Sequence, residues 1–292
     1  KLLLCLAHTL SWQELAVLMG PFLSRSTTAA PSHPHDRREQ AEELFRRSEC
    51  VVWRGAAGAW PCRAWDAAWL DRHLGECSVK VSYKDSCGDV VRRGTVAIRQ
   101  LLNEAREDQV GLKPASADGL VAYADNFDIA ALIPEQLRTG VPSASLFGAN
   151  RDLVIYSGFL GLARSVTRIH VDSEDNLITT IFGRKLVVLL PPSAQSHLDF
   201  EARDVPLDQT VLRAVTEADL SAPELIEEAE AEATALARRH PMFRQCPEAV
   251  RVVVLQGGDI LVQPQGWSHW VHNLDLAFSV PCWAKALPPP GN

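Results

Sequence analysis

The sequence predicts a mainly β protein with flanking helices, on three observations. From about residue 120 onward, short runs rich in Val, Ile and Leu recur, with Gly or Pro between many of them. Helical patterns are few in that half and concentrate in the opening third. The 292 residues are 47% hydrophobic and 22% charged, enough apolar side chains for a large core and outside the composition of disordered chains. Many short strands around few helices point to an antiparallel sandwich or barrel.

Taken in order, Leu2 to Ala7 follow Lys1 in a faint leader-like pattern. The apolar spacing continues through Trp12, Leu15, Leu18 and Met19 at helical intervals, so the segment reads as a helix cut at its start. Whether a targeting segment precedes it is left open. Residues 24–35 (SRSTTAAPSHPH) read as a loop, and Asp36 as the cap of a charged helix with Ala41, Leu44 and Phe45 inward. Glu49 to Arg54 reads as a strand, GAAGAWP as a turn, Trp65 to Leu74 as a helix and Ser78 to Tyr83 as an alternating strand. Thr95 is predicted to cap a helix running to about Asp108.

The strands that follow are LVAYA, DLVIYS, TRIHVD, NLITTIF, KLVVLLP, VRVVVLQ, DILVQP and FSVPCW. Between the last three and the rest lies Ser221 to His240, predicted to be a serine-capped helix covering the β scaffold, its acidic start and Arg-Arg-His end matching the helix dipole. The expected division is a helical segment over 1–48, a catalytic domain over 49–285 with a helical insert at 201–240, and a Pro-rich tail over 286–292 that cannot continue a sheet.

The formal charge of −7 disfavours, without excluding, a nucleic-acid partner held by phosphate contacts. Seven cysteines with no CxxC, in a chain large enough to fold without staples, read as reduced thiols of a cytoplasmic or nuclear protein. No apolar run reaches the roughly 18–20 residues that span a bilayer, so no membrane partner is expected.

The chemistry concentrates in two segments. Thr167-Arg-Ile-His170-Val-Asp172 puts an imidazole and a carboxylate two residues apart, which in a strand project from one face and can bind one metal. Lys185 heads the apolar strand KLVVLLPP, where a buried ammonium needs an anion. Further on, GGDILVQPQGWSHW holds His269 between Trp267 and Trp270 after a Pro/Gly corner. His272 lies three residues beyond; spacing alone does not choose between the two, and the Trp-x-His pattern favours His269. Two histidines and a carboxylate make the facial triad of non-haem Fe(II) oxygenases, with a zinc hydrolase as the competing reading. An apolar lining would keep water from the intermediates of dioxygen chemistry. The tryptophans Trp267, Trp270 and Trp283 read as core packing.

On these residues the chain resembles the JmjC-domain proteins, and is similar to the small cupin-like hydroxylase group that includes the asparaginyl hydroxylase acting on hypoxia-inducible factor and the heat-shock-protein-associated JmjC proteins. The likeness covers about residues 50–285. It is strongest in IHVDSEDNLITTIFGRKLVVLLPPS and GGDILVQPQGWSHWVHNLDLAFSVPCW and weaker in VVWRGAAGAWPCRAW and VAYADNFDIAALIPE. The resemblance implies a double-stranded β-helix (jelly-roll or cupin) core that uses Fe(II), 2-oxoglutarate and O2. It implies oxidation of a substrate C–H bond, typically a protein side chain, with release of succinate and CO2.

By the same resemblance, His170, Asp172 and His269 match the metal ligands, and Lys185 the partner of the distal carboxylate of 2-oxoglutarate. Thr167, three before the first ligand, and Tyr123, ten before Ile133-Pro134-Glu135, match hydroxyls that bond the same carboxylate. Asn176 and Asn273 match polar positions near the cosubstrate.

No C-terminal helix pair follows Trp283, so dimerisation through one is not expected; the oligomeric state is left open. Substrate choice is the least transferable part of the likeness. The expected partner is a protein or peptide substrate. Histone demethylation is disfavoured by the lack of a Cys/His zinc array, and tRNA-base hydroxylation by the charge. A catalytically silent cupin-fold binding or scaffold protein is the reading from another class. The sequence has no GxSxG, GxxxxGK[ST] or HExxH that would support a hydrolase.

Overall fold

The computed structural model describes residues 27–29, 34–109, 118–198 and 209–287. The expected first helix, the start of the insert and most of the Pro-rich tail lie outside them. In chain order the strands are β1 (Thr27–Ala29), β2 (Val51–Arg54), β3 (Ser78–Lys84), β4 (Val90–Ala97), β5 (Val121–Phe127), β6 (Arg151–Tyr156) and β7 (Gly158–Gly161). They continue as β8 (Val166–Val171), β9 (Asp175–Phe182), β10 (Arg184–Leu190), β11 (Arg251–Gln256), β12 (Ile260–Gln263), β13 (Ser268–Asn273) and β14 (Ala277–Ala286). The α-helices are α1 (Pro34–Arg47), α2 (Ala67–Leu74), α3 (Ile98–Gln109), α4 (Ile129–Leu132), α5 (Pro134–Gly140), α6 (Gln209–Thr216) and α7 (Pro223–Ala237).

Two sheets face each other. The larger has ten strands in the order β1-β2-β12-β9-β14-β7-β5-β3-β4, with β6 also paired to β14. The smaller has the order β11-β10-β13-β8. The first seven strands lie in the large sheet; from β8 on the chain passes between the two sheets at every step except β10 to β11, and so winds as a jelly roll, the double-stranded β-helix expected of it.

Side-chain alternation explains why the β10 sequence is apolar throughout. Leu186, Val188 and Leu190 point outward and pack with Ile226, Ala233 and Ala237 of α7 and with Val211 and Val215 of α6. Val187 and Leu189 point inward with Val253, Leu255, Leu261 and Ile178. Both faces are covered, so no polar alternation is needed. Each such Val or Leu contributes roughly 1.5–3 kcal/mol by leaving water. The outer face of the large sheet is covered likewise. Ala41, Leu44 and Phe45 of α1 lie on one part, and Leu70, Leu74, Ile98, Leu101 and Leu102 of α2 and α3 on another.

Several element boundaries differ from expectation. Thr95 does not cap a helix: it sits inside β4 opposite Lys80, in a hairpin with β3 that turns at Asp85–Gly88, and the helix begins only at Ile98. Cross-strand pairing of the Val-rich segment overrode a capping signal. The first turn of α2 starts later than Trp65 because the Asp66 side chain accepts from the Trp69 amide at 2.7 Å. Helix α7 is not capped by Ser221: Pro223 occupies its first turn and Ala222 the cap position. Helix α1 begins at Pro34, which puts Asp36 in its first turn instead of at the cap. The 24–35 segment, read as a loop, contains β1, paired in parallel with Val52–Arg54.

Helix α7 is anchored by charge as well as by packing. Arg54 on β2 contacts Glu230 of α7 and holds Asp259 at 2.8 Å, and the Asp259 carboxylate also accepts from the Gly55 and Gln256 amides. Glu230 is buried, and its pKa is raised by that burial against the opposing pull of Arg54.

Candidate metal centre and cosubstrate cavity

Between the sheets lies a partly open cavity with about 480 Å³ of empty space, open solvent included. His170, Asp172 and His269 meet at it, each offering one donor atom, and those atoms all lie within 4.8 Å of one another. His170 and His269 come from the neighbouring strands β8 and β13, where they are direct cross-strand partners. Asp172 follows β8. The two imidazole centroids are 4.0 Å apart, and His170 Nε2 is 3.7 Å from Asp172 Oδ1.

Each donor is oriented from behind. His170 Nδ1 contacts the Arg168 carbonyl at 2.9 Å, so Nδ1 carries the proton and Nε2 keeps its lone pair for the cavity. Asp172 Oδ2 accepts from Asn176 Nδ2 at 3.0 Å and from Trp283 Nε1 at 3.1 Å, leaving Oδ1 toward the imidazoles. His269 is buried, and its pKa falls to about 3, first through desolvation and then through His170. A neutral imidazole is the form that donates a lone pair to a metal.

The period of two does not by itself put Thr167 and His170 on one face, since they are three apart. Between the pairs His269↔His170 and Val271↔Thr167 the register shifts, with Trp270 opposite two residues of β8. This bulge restores the phase, and both Thr167 and His170 line the cavity.

At the inner end stands Lys185, 3% exposed. Burial lowers its pKa to about 7, aided by Lys84. It has no carboxylate partner among the described residues; its ammonium lies 5.9 Å from the centroid of the Tyr123 ring. Tyr123 is buried, and its pKa is raised by that burial against the opposing pull of the Thr167 and Asn273 side chains near its hydroxyl. Lys84 also lies over that ring, 4.6 Å from the centroid, and is paired with Asp125 at 2.8 Å.

Of the eight residues singled out in the sequence, His170, Asp172, His269, Lys185, Thr167, Tyr123 and Asn176 line the cavity. Asn273 does not; it stands behind Tyr123 and donates to Ser165 Oγ at 2.7 Å. Asn176 braces Asp172. His272 faces away from the cavity, against Trp270. Trp267 and Trp270 are core residues, as expected, but Trp283 lines the cavity and holds Asp172, a role its spacing did not reveal. The walls are mixed: Ile178, Val187, Leu255 and Val271 alternate with polar side chains such as Ser279, not the wholly apolar lining expected. Gln263, 3.1 Å from His269 Nδ1, was missed because it reads as one more residue of an apolar strand.

A jelly roll with a two-histidine, one-carboxylate cluster between its sheets defines a cupin. The sequence profile of the cupin-like domain family matches residues 37–286, and the chain belongs to that family, in its JmjC branch. It is 21% identical over 274 residues to "Lysine-specific demethylase 8" of Xenopus tropicalis, covering 93% of this chain and 56% of that protein. It is 26% identical over 166 residues to "JmjC domain-containing protein A" of Dictyostelium discoideum, covering 56% and 58%. "Jumonji C domain-containing protein 5" of Drosophila melanogaster is 26% identical over 192 residues, covering 64% and 42%. The aligned part thus spans a little over half of the first two relatives.

Proposed function

We propose that the protein is an Fe(II)- and 2-oxoglutarate-dependent dioxygenase that hydroxylates a protein or peptide side chain and releases succinate and CO2. The observation that carries this reading is Lys185: a buried ammonium without a carboxylate partner among the described residues, facing the same cavity as three metal-donor side chains. Burying such a cation costs stability unless an anion arrives to pair with it. A dicarboxylate that reaches from a metal to Lys185 meets that need.

His170, Asp172 and His269 would hold the iron, a donor set of neutral nitrogen and hard oxygen that suits Fe(II) and leaves positions open. Lys185 and the Thr167 and Tyr123 hydroxyls would hold the far carboxylate of 2-oxoglutarate. Bound together, iron and cosubstrate supply dioxygen activation and oxidation of a C–H bond. The chain's own work is geometric. Asn176 and Trp283 fix the face that Asp172 presents, the Arg168 carbonyl fixes the tautomer of His170, and the apolar wall residues keep bulk water from the reacting atoms.

The unpaired state of the six described cysteines supports a reducing compartment, cytoplasm or nucleus, as the place of action. Among the described residues no helix is long and apolar enough to cross a membrane. The names of three relatives, each a lysine-specific demethylase, favour a second reading, oxidation of an N-methyl carbon of lysine at the same site. Incubation of the Fe(II)-loaded protein with a peptide library under 18O2 separates them by mass spectrometry. Gain of one labelled oxygen supports hydroxylation, and loss of a methyl group supports demethylation. Neither change in any peptide, together with no succinate, contradicts both.

A further inference from the structure

Gln263 on β12 and Asn176 on β9 are direct cross-strand partners. Both are buried, at 0% and 1% exposure. Each amide reaches one of the three donor residues: Asn176 Nδ2 donates to Asp172 Oδ2 at 3.0 Å, and Gln263 Nε2 lies 3.1 Å from His269 Nδ1. Both amide oxygens, Asn176 Oδ1 and Gln263 Oε1, are buried without a hydrogen-bond partner. Two neighbouring orphan acceptors are costly, and two acceptors cannot satisfy each other.

His269 indicates how the orphans are resolved. Its Nδ1 is the nitrogen that meets Gln263, which leaves Nε2 for the metal site, as in His170, where Nδ1 bonds the Arg168 carbonyl. A carbonyl accepts only from a protonated nitrogen. By analogy with His170, Nδ1 carries the proton and Nε2 keeps the lone pair. A protonated Nδ1 wants an acceptor from Gln263, and an amide nitrogen is a donor. A half-turn of the Gln263 amide exchanges its oxygen and nitrogen, so that Oε1 accepts from His269 Nδ1–H and Nε2 turns toward the oxygen of its cross-strand neighbour Asn176.

We propose that Gln263 is a positioning residue that joins two of the three metal donors through an amide relay. The relay runs from His269 Nδ1–H to Gln263 Oε1, and from Gln263 Nε2–H through Asn176 to Asp172 Oδ2. It removes both orphan oxygens, fixes the tautomer of His269, and ties the carboxylate to the imidazole across β9 and β12. The proposal rests on the reading of the triad as a metal site. It adds a chosen orientation for a side chain that touches neither metal nor cosubstrate.

Two measurements test it, both read on binding and spectroscopy and not on turnover. In anaerobic titration of the apo protein with Co(II), Gln263→Leu binds about 10- to 100-fold more weakly than wild type, with an altered visible spectrum. Gln263→Glu, which keeps an acceptor, restores affinity to within a few-fold. Adding Asn176→Leu to Gln263→Leu weakens binding less than Asn176→Leu does alone, because the two residues act in one chain. In Zn(II)-loaded wild type, NMR shows a proton on His269 Nδ1 and Gln263 amide protons close to the Asn176 side chain. That spectrum needs no variant and so decides the matter if Gln263→Leu does not fold. Wild-type Co(II) affinity and spectrum in Gln263→Leu, or Gln263 amide protons facing an unprotonated His269 Nδ1, overturn the relay alone. Failure of the wild type itself to take up Co(II) overturns the metal-site reading beneath it.

Discussion

Thr167 and His170 lie three residues apart on one strand and yet face the same cavity, because β8 carries one extra residue where it passes from His269 to Val271. Without the bulge, strand alternation would turn the hydroxyl and the imidazole to opposite faces. Deletion of Ile169 removes the extra residue and leaves the two positions two apart on an unbulged strand, where alternation keeps them on one face. The deletion protein is therefore expected to keep metal binding, as read by Co(II) titration. The gentler Thr167→Val is expected to keep metal binding and to weaken 2-oxoglutarate by about tenfold, the worth of one hydrogen bond to a charged group.

The three donors should differ in their cost to the fold even though each abolishes turnover. The His170 side chain is 41% exposed, so His170→Ala leaves thermal stability near wild type. Asp172→Ala strands the Asn176 and Trp283 donors and is expected to cost about 1–3 kcal/mol. Circular-dichroism melts of the metal-free variants check the order, and turnover unchanged in Asp172→Ala contradicts the triad.

Lys185 ties cosubstrate binding to pH. In the empty cavity its pKa is lowered to about 7, and a bound carboxylate raises it again. Affinity for 2-oxoglutarate is therefore level below about pH 7 and falls as the pH rises through it, since binding must then take up a proton. Lys185→Met is expected to lose most of the affinity and the pH step with it. For the apo protein the sign runs the other way. The unfolded chain holds the lysine proton up to its ordinary value of 10.5, so between about pH 7 and 10.5 this group makes stability rise with pH. Calorimetry of wild type and Lys185→Met across that window tests both statements.

Helix α7 is held by Arg54, Glu230 and Asp259 across the sheet edge. Glu230→Ala is expected to destabilise by about 3 kcal/mol, because Arg54 loses one of two buried partners. Hydrogen exchange should then quicken along α7 before it does in β10.

Much of the site was legible because its chemistry is carried by residue types that are expensive to bury. His170, Asp172 and Lys185 stand out against apolar strands, and the jelly roll announces itself through repeated Val-rich runs with Gly and Pro between them. What was not legible depends on pairing across strands. Gln263 declares its role only when β12 is placed beside β9, and Trp283 only when β14 brings its indole to Asp172. The β4 strand was hidden because Arg92, Arg93 and Thr95 lie on an edge with much of it exposed, where no apolar alternation is required, and Thr95 before Ile98 mimics a helix start. Asn273 is polar and near the site, but a buried polar residue can equally serve the sheet, and here it supports Tyr123 and Ser165.

The most direct test of the central claim is succinate formation from 2-oxoglutarate by protein reconstituted anaerobically with Fe(II) and then exposed to oxygen, with and without the peptide library. The account predicts oxygen-dependent, peptide-stimulated succinate from wild type and none from His170→Ala. Succinate at equal rates from both, or none from a wild type that binds Fe(II) and 2-oxoglutarate together in the presence of peptides that it retains, contradicts it.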